Sequence, residues 1–200
     1  MTDILPGTPT AAGSSREALA RASAGRLGMR LFLASLGMLF GGCLIGYLVI
    51  RLRAPEWPPP GSSGLPGGLW ISTLVLVLLS AVLVLAERAV CDDRTRDLSR
   101  LLWVALLLAI AFLAAQLANW MRMAADSVTP QQSLLAFGFW VLTFLHAAHV
   151  LLGLIPLVFV ALRARGERYN AADHEGVHLV AMYWHFLLAT WVAIFAVLNF

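Results

Sequence analysis

Five long apolar stretches recur along the chain, and short polar links separate them. Each stretch reaches or exceeds the roughly 20 residues that an α-helix needs to cross the hydrocarbon core of a bilayer. They are Met29–Ile50, Leu69–Ala89, Leu101–Met121, Leu134–Leu162 and Val177–Phe200. The pattern predicts an all-α fold, a polytopic membrane bundle of five transmembrane helices.

The fourth stretch is longer than the bilayer core requires, and it contains Pro156. A helix of this length must tilt, extend past the membrane interface or bend, and proline is a common place for bending. Residues 1–28 are rich in small and polar side chains and lack the apolar core of a signal peptide. We therefore divide the chain into a polar N-terminal tail, residues 1–28, and a membrane domain, residues 29–200.

The charged residues predict the orientation of the bundle. All fourteen basic residues are arginines, and eleven of them lie around the N-terminal segment, the second link and the fourth link. Only three lie around the first and third links. Because basic residues concentrate on the cytoplasmic side, we expect a cytoplasmic N-terminus and a periplasmic C-terminus. The arginines form no basic face or stripe, so nothing indicates binding to nucleic acid.

All five histidines fall in the last third of the chain. His146, His149, His178 and His185 lie within the last two apolar stretches, and His174 precedes the last one. A polar ring in hydrocarbon is costly unless it finds a partner, so two explanations remain open. The histidines either bond across helices and lock them together, or a pair of them ligates haem as in a b-type membrane cytochrome. The bulky aromatic neighbours of His185 favour the first explanation.

Few other polar groups interrupt the apolar stretches. No Asp or Glu lies near the middle of any stretch, which argues against an autonomous proton or ion pathway. The two cysteines are far apart and fit neither a metal site nor a disulfide framework. We therefore expect no catalytic, cofactor-binding or metal-binding residue in this chain. The expected helix-locking and interface residues are Gln116, Asn119, His146, His149, His178, Tyr183, Trp184, His185 and Trp191.

Five sequence segments are informative through their order along the chain. They are MRLFLASLGMLFGG, WPPPGSSGLP, FLAAQLANW, HAAHVLLGLI and HEGVHLVAMYWHFLLATW. Together they resemble subunit III of the haem–copper oxidases, the cytochrome c oxidase type, in its short bacterial form with five helices. The resemblance covers nearly everything from Met29 to Phe200, and the last two segments carry most of it.

The resemblance implies a non-catalytic subunit of an oxidoreductase complex in the bacterial inner membrane. Such a subunit supports the catalytic subunit I, together with subunit II, and holds phospholipid between its helices. Haem and copper are then expected in the partner subunit and not in this chain. The histidine pair of the family corresponds to His146 and His149, and its Tyr-Trp-His triplet corresponds to Tyr183, Trp184 and His185.

Three positions depart from the family pattern. Leu36 and Asn119 stand where the family usually has Glu, and Leu188 stands where it usually has Asp. The resemblance therefore implies packing, lipid retention and assembly as the expected roles, without the carboxylates that handle protons. The alternatives are a subunit-III-like accessory protein of a nitric oxide reductase or quinol oxidase and, more distantly, the b-type cytochrome. A small-solute transporter is disfavoured because the stretches lack buried charge and an evident internal repeat.

Overall fold

The fold consists of α-helices throughout the part of the chain that can be described. A computed structural model describes residues 11–53, 67–125, 134–166, 169–171 and 173–199. The proline-rich first link with Trp57 lies outside these ranges. The helices are α1 Ala11–Arg53, α2 Gly68–Cys91, α3 Thr95–Ala125, α4 Leu134–Arg165 and α5 Glu175–Asn199. All five are long and apolar enough to cross a membrane, which confirms the prediction of an all-α bundle with five spans.

Four of the helices form a closed ring. α2 packs against α3, α3 against α4, α4 against α5, and α5 returns to α2. α1 stands outside the ring and contacts only α4 and α5 among the described residues. The described part of the chain is therefore a four-helix bundle with a fifth helix laid along one side.

The interior of the ring follows the helical period. On α2 the buried positions include Ser72, Leu76, Leu79 and Leu83, which recur at spacings of three and four residues. The outward faces are apolar too, with large aliphatic side chains exposed on every helix. Each helix is therefore apolar on its buried face and on its exposed face, as expected where lipid rather than water surrounds the bundle.

α1 is longer than its apolar stretch. It has 43 residues, a length of about 65 Å, which is twice the thickness of a bilayer core. α1 begins at Ala11, well before the apolar stretch that starts at Met29, so part of the expected polar tail is helical. Arg26 pairs with Glu175 at 2.9 Å near one end, and Arg51 donates to the carbonyl of Val197 at 2.8 Å near the other. These contacts hold α1 parallel to α5.

α4 and the segment that follows it complete the architecture. α4 is 32 residues long, about 48 Å, and continues as one helix through Pro156. After α4, Asn170 and Asp173 form an isolated bridge, and the amide of Ala171 donates to the Asp93 carboxylate at 2.7 Å. The segment between α4 and α5 is thereby tied to the turn between α2 and α3.

Candidate functional site

A buried polar cluster joins α2 to α3. Asn119 Nδ2 donates to Ser72 Oγ at 3.3 Å, and Ser72 Oγ lies 3.5 Å from Gln116 Oε1. All three side chains are almost fully buried, and Gln116 Nε2 has no partner among the described residues. Gly68 lies directly against the Asn119 amide, where a Cβ would clash. The cluster connects the two helices through polar groups that lipid cannot reach.

A column of polar pairs runs along the contact between α2 and α5, and we name it the α2–α5 seam. Its central bonds are His178 Nδ1 to Glu87 Oε1 at 2.9 Å and Ser80 Oγ with His185 Nδ1 at 2.6 Å. At one end of the seam Trp191 Nε1 donates to Thr73 Oγ1 at 2.9 Å. At the other end Cys91 Sγ lies 4.0 Å from His174 Nε2. In order along the helices, the pairs are Thr73–Trp191, Ser80–His185, Glu87–His178 and Cys91–His174.

The seam includes a partner that the sequence did not identify. Glu87 lies at the end of the second apolar stretch, beside the arginine-rich second link, where a surface carboxylate is expected. Its side chain is instead three-quarters shielded and accepts the hydrogen bond of His178. The signal that could have found it is the seven-residue spacing of Ser80 and Glu87, which matches that of His178 and His185 on α5.

The contact between α4 and α5 is close and aromatic. Tyr183 Oη donates to the backbone carbonyl of His149 at 2.8 Å, and the Tyr183 ring covers Gly153. His149 Nδ1 donates to Leu145 O, one turn back in its own helix, at 2.7 Å. Trp184 is fully buried beside this contact. α4 and α5 can approach here because Gly153 has no side chain.

His146 occupies the centre of the bundle. Its ring is fully buried among Phe40, Phe112 and Trp191, with ring centroids 6.2, 5.7 and 5.0 Å away. Neither ring nitrogen has a hydrogen-bond partner among the described residues. His146 thus packs against three helices through ring faces and edges rather than through hydrogen bonds.

The histidines therefore serve several different contacts. His178 and His185 bond across helices, His149 bonds within α4, and His146 only packs. The bond of His185 joins α5 to α2.

Haem does not fit this arrangement. A bis-histidine site needs two imidazole nitrogens that face a common gap as wide as a porphyrin. Here three aromatic rings surround His146, and the imidazoles of His178 and His185 turn toward α2 rather than toward the histidines of α4. Across the described ranges, no group of three or more His, Cys, Asp or Glu side chains could hold a metal ion.

Comparison with known proteins identifies the family. A sequence model of the family described as cytochrome c oxidase subunit III matches residues 9–200. A cytochrome c oxidase subunit 3 of Thermostichus vulcanus is 31% identical over 173 residues, which are 86% of this chain and 85% of that protein. A probable cytochrome c oxidase subunit 3 of Nocardia farcinica is 29% identical over 197 residues, with 97% of each chain covered. The chain belongs to the cytochrome c oxidase subunit III family.

Proposed function

We propose that the chain is the non-catalytic subunit III of a haem–copper terminal oxidase, lying beside the catalytic subunit in a bacterial inner membrane. The observation that carries this proposal is the family match over residues 9–200. Haem and copper belong to the partner subunit I in this proposal, and subunit II completes the complex. The distribution of arginines supports a cytoplasmic N-terminus and a periplasmic C-terminus.

The polar interior supports a stabilising role rather than a chemical one. Leu36 and Asn119, which replace two carboxylates of the family pattern, are both buried. The described acidic side chains within the spans, Glu87, Asp97 and Glu175, all lie toward helix ends and are paired with basic groups. A path for protons through the middle of the bundle would need connected titratable groups, and His146, the histidine at the centre, has no hydrogen-bond partner among the described residues.

The surface supports contact with a further subunit. Ser80 and His185 share a short hydrogen bond, and both remain partly exposed on the described chain although they lie well inside the spans. A polar pair facing lipid is unfavourable, and a neighbouring subunit that covers it removes this cost. The seam is therefore one face on which the catalytic subunit could pack.

A cavity between α1, α4 and α5 suits an acyl chain. Its volume is about 200 Å³, and its lining is almost entirely apolar. The lining residues are Met29, Phe32, Leu152, Gly153, Pro156, Val180 and Tyr183. Retention of lipid at this place would fill the gap that α1 leaves as it stands outside the ring.

Purification from native membranes in mild detergent tests the proposal. A tag on this chain should recover a large subunit whose dithionite-reduced spectrum shows haem, and deletion of this chain should shorten the active lifetime of that subunit during turnover. The chain purified alone should show no haem band, and such a band would favour the b-type cytochrome. A complex that reduces nitric oxide but not oxygen would favour the accessory protein of a nitric oxide reductase. Recovery of the chain only as a monomer, with unchanged oxidase lifetime on deletion, would refute the proposal.

A further inference from the structure

A basic groove lies where the N-terminus of α3 meets the C-terminus of α4. It consists of two adjoining cavities of about 230 and 470 Å³ that share Ser99, Arg100 and Arg165. We name it the arginine groove. Its lining residues are Thr95, Arg96, Ser99, Arg100, Trp103, Val104, Ala164 and Arg165.

The groove carries positive charge that the described side chains do not neutralise. Arg96 and Arg165 form no ion pair with any side chain in the described ranges. Arg100 lies 3.7 Å from Asp97, but the same carboxylate also pairs with Arg94 at 3.5 Å, and the Arg100 side chain is 80% exposed. One carboxylate thus serves two of the neighbouring arginines, and the groove is suited to an anion.

Hydroxyl groups and the helix terminus favour the same kind of ligand. Thr95 and Ser99 are one turn apart in the first turns of α3, so their side chains lie on one face of the helix together with Arg96 and Trp103. The N-terminus of a helix carries partial positive charge and attracts phosphate groups. Guanidinium groups beside hydroxyl donors form the usual environment of a phosphate.

The second cavity turns from charged to apolar along α3. Trp103 and Val104 line it, and the exposed side chains of Leu107 and Ile110 continue the same helix toward the middle of the span. Trp is typical of the membrane interface, where its ring meets both headgroups and chains. A free phosphate would use only the arginine end, whereas a phospholipid would use both parts.

We propose that the arginine groove binds the phosphate headgroup of an anionic phospholipid, with one acyl chain along Trp103 and Val104. Arg96, Arg100 and Arg165 bind the phosphate oxygens, and Ser99 and Thr95 donate hydrogen bonds to them. The groove lies at the arginine-rich end of the bundle, and anionic lipids attract basic groups at the cytoplasmic surface. The inference names a lipid site within the proposed function and rests on the membrane placement of the chain.

Quenching of tryptophan fluorescence tests the site on the purified full-length chain. Phosphatidylglycerol with brominated acyl chains, added to detergent micelles, should quench more strongly than brominated phosphatidylcholine. The difference should vanish in Trp103→Phe, which leaves the other six tryptophans in place. Arg96→Gln or Arg165→Gln should each weaken phosphatidylglycerol binding about fivefold. The control is Arg88→Gln, an exposed arginine of α2 at the same end of the bundle, which should leave binding unchanged.

Several results would overturn the proposal. Equal quenching by the two lipids, or an Arg88→Gln effect as large as that of Arg165→Gln, would indicate general attraction to the basic end. Competition by inorganic phosphate that abolishes the lipid difference at equimolar concentration would assign the groove to free phosphate.

High salt provides a test that needs no variant. It should weaken phosphatidylglycerol quenching of the unaltered chain, and no weakening would contradict the proposal even if an arginine variant fails to fold. Because these measurements use the chain alone, their failure is distinguishable from failure of the proposed function, which is measured by recovery of the catalytic subunit.

Discussion

Substitution of Gly153 by alanine tests the close contact of α4 and α5. A Cβ at this position would lie 2.5 Å from Cε1 and 3.2 Å from Cδ1 of Tyr183, and 3.4 Å from Cζ2 of Trp184. The Tyr183 ring must therefore move, and its hydroxyl must leave the carbonyl of His149. We expect Gly153→Ala to separate the two helices without preventing insertion into the membrane.

The expected loss of folding free energy in Gly153→Ala follows from three contributions. Forcing an extra methyl group into a packed contact costs about 1–3 kcal/mol, and loss of an interhelical hydrogen bond in a membrane costs about 0.6 kcal/mol. The higher helix propensity of alanine returns about 0.5–1 kcal/mol. The net loss of about 2 kcal/mol would lower the folding equilibrium constant roughly 30-fold.

Unfolding by sodium dodecyl sulfate in mixed micelles, followed by tryptophan fluorescence, measures this loss. Gly41→Ala is the matched control because a Cβ at Gly41 meets nothing within 4 Å. That variant should be as stable as the unaltered chain or slightly more stable. In a Tyr183→Leu background, Gly153→Ala should cost much less, since the ring that it displaces is gone. An equal cost of Gly153→Ala in both backgrounds would refute the reasoning.

Three further predictions concern the other contacts. His185→Leu removes the seam bond to α2, which is worth about 0.6 kcal/mol, so the variant chain should still insert into the membrane. It should recover less catalytic subunit on purification, and undiminished recovery would contradict a role of His185 in assembly. Gly68→Ala should lower the free energy of unfolding in mixed micelles by about 1–3 kcal/mol, because its methyl group would meet the buried amide of Asn119. Gly67→Ala is the control and should match the unaltered chain, since a Cβ there meets nothing within 4 Å. Equal unfolding midpoints for the two variants would count against the clash. A double-mutant cycle of Arg26→Gln and Glu175→Gln should give a coupling free energy of about 0.2–1 kcal/mol that shrinks at high salt. A coupling that salt leaves unchanged would argue against a pair that solvent reaches.

The spans were predictable from the sequence because length and hydropathy determine them. The predicted stretch Leu69–Ala89 became Gly68–Cys91, and Leu134–Leu162 became Leu134–Arg165. The helices continue a few residues beyond the apolar residues because helical hydrogen bonding does not stop where hydrocarbon ends. The N-terminal extension of α1 to Ala11 shows the same effect on a larger scale.

The neighbours of each helix were not predictable in the same way. In water an apolar stripe indicates which face of a helix is buried, but a membrane helix is apolar on all sides and gives no such direction. The position of α1 outside the ring and the partner of His185 depend on packing across distant segments. Polarity alone therefore identified His185 as a residue in need of a partner, yet it could not distinguish Ser80 on α2 from a group on α4.

α2 and α5 are the neighbours in the ring that do not follow each other along the chain, so no short link brings them together. α2 and α3 are joined by a tight turn, and α4 and α5 by a short segment, whereas α2 and α5 are far apart along the chain. Apolar side chains gain little by exchanging lipid for another helix, so apolarity alone does not select one neighbour over another. Polar pairs do, because a mispaired His185, well inside the spans, would remain unsatisfied in the membrane. Three of the five histidines lie on this seam, and the geometry favours closure of the ring as their role over ligation of a cofactor.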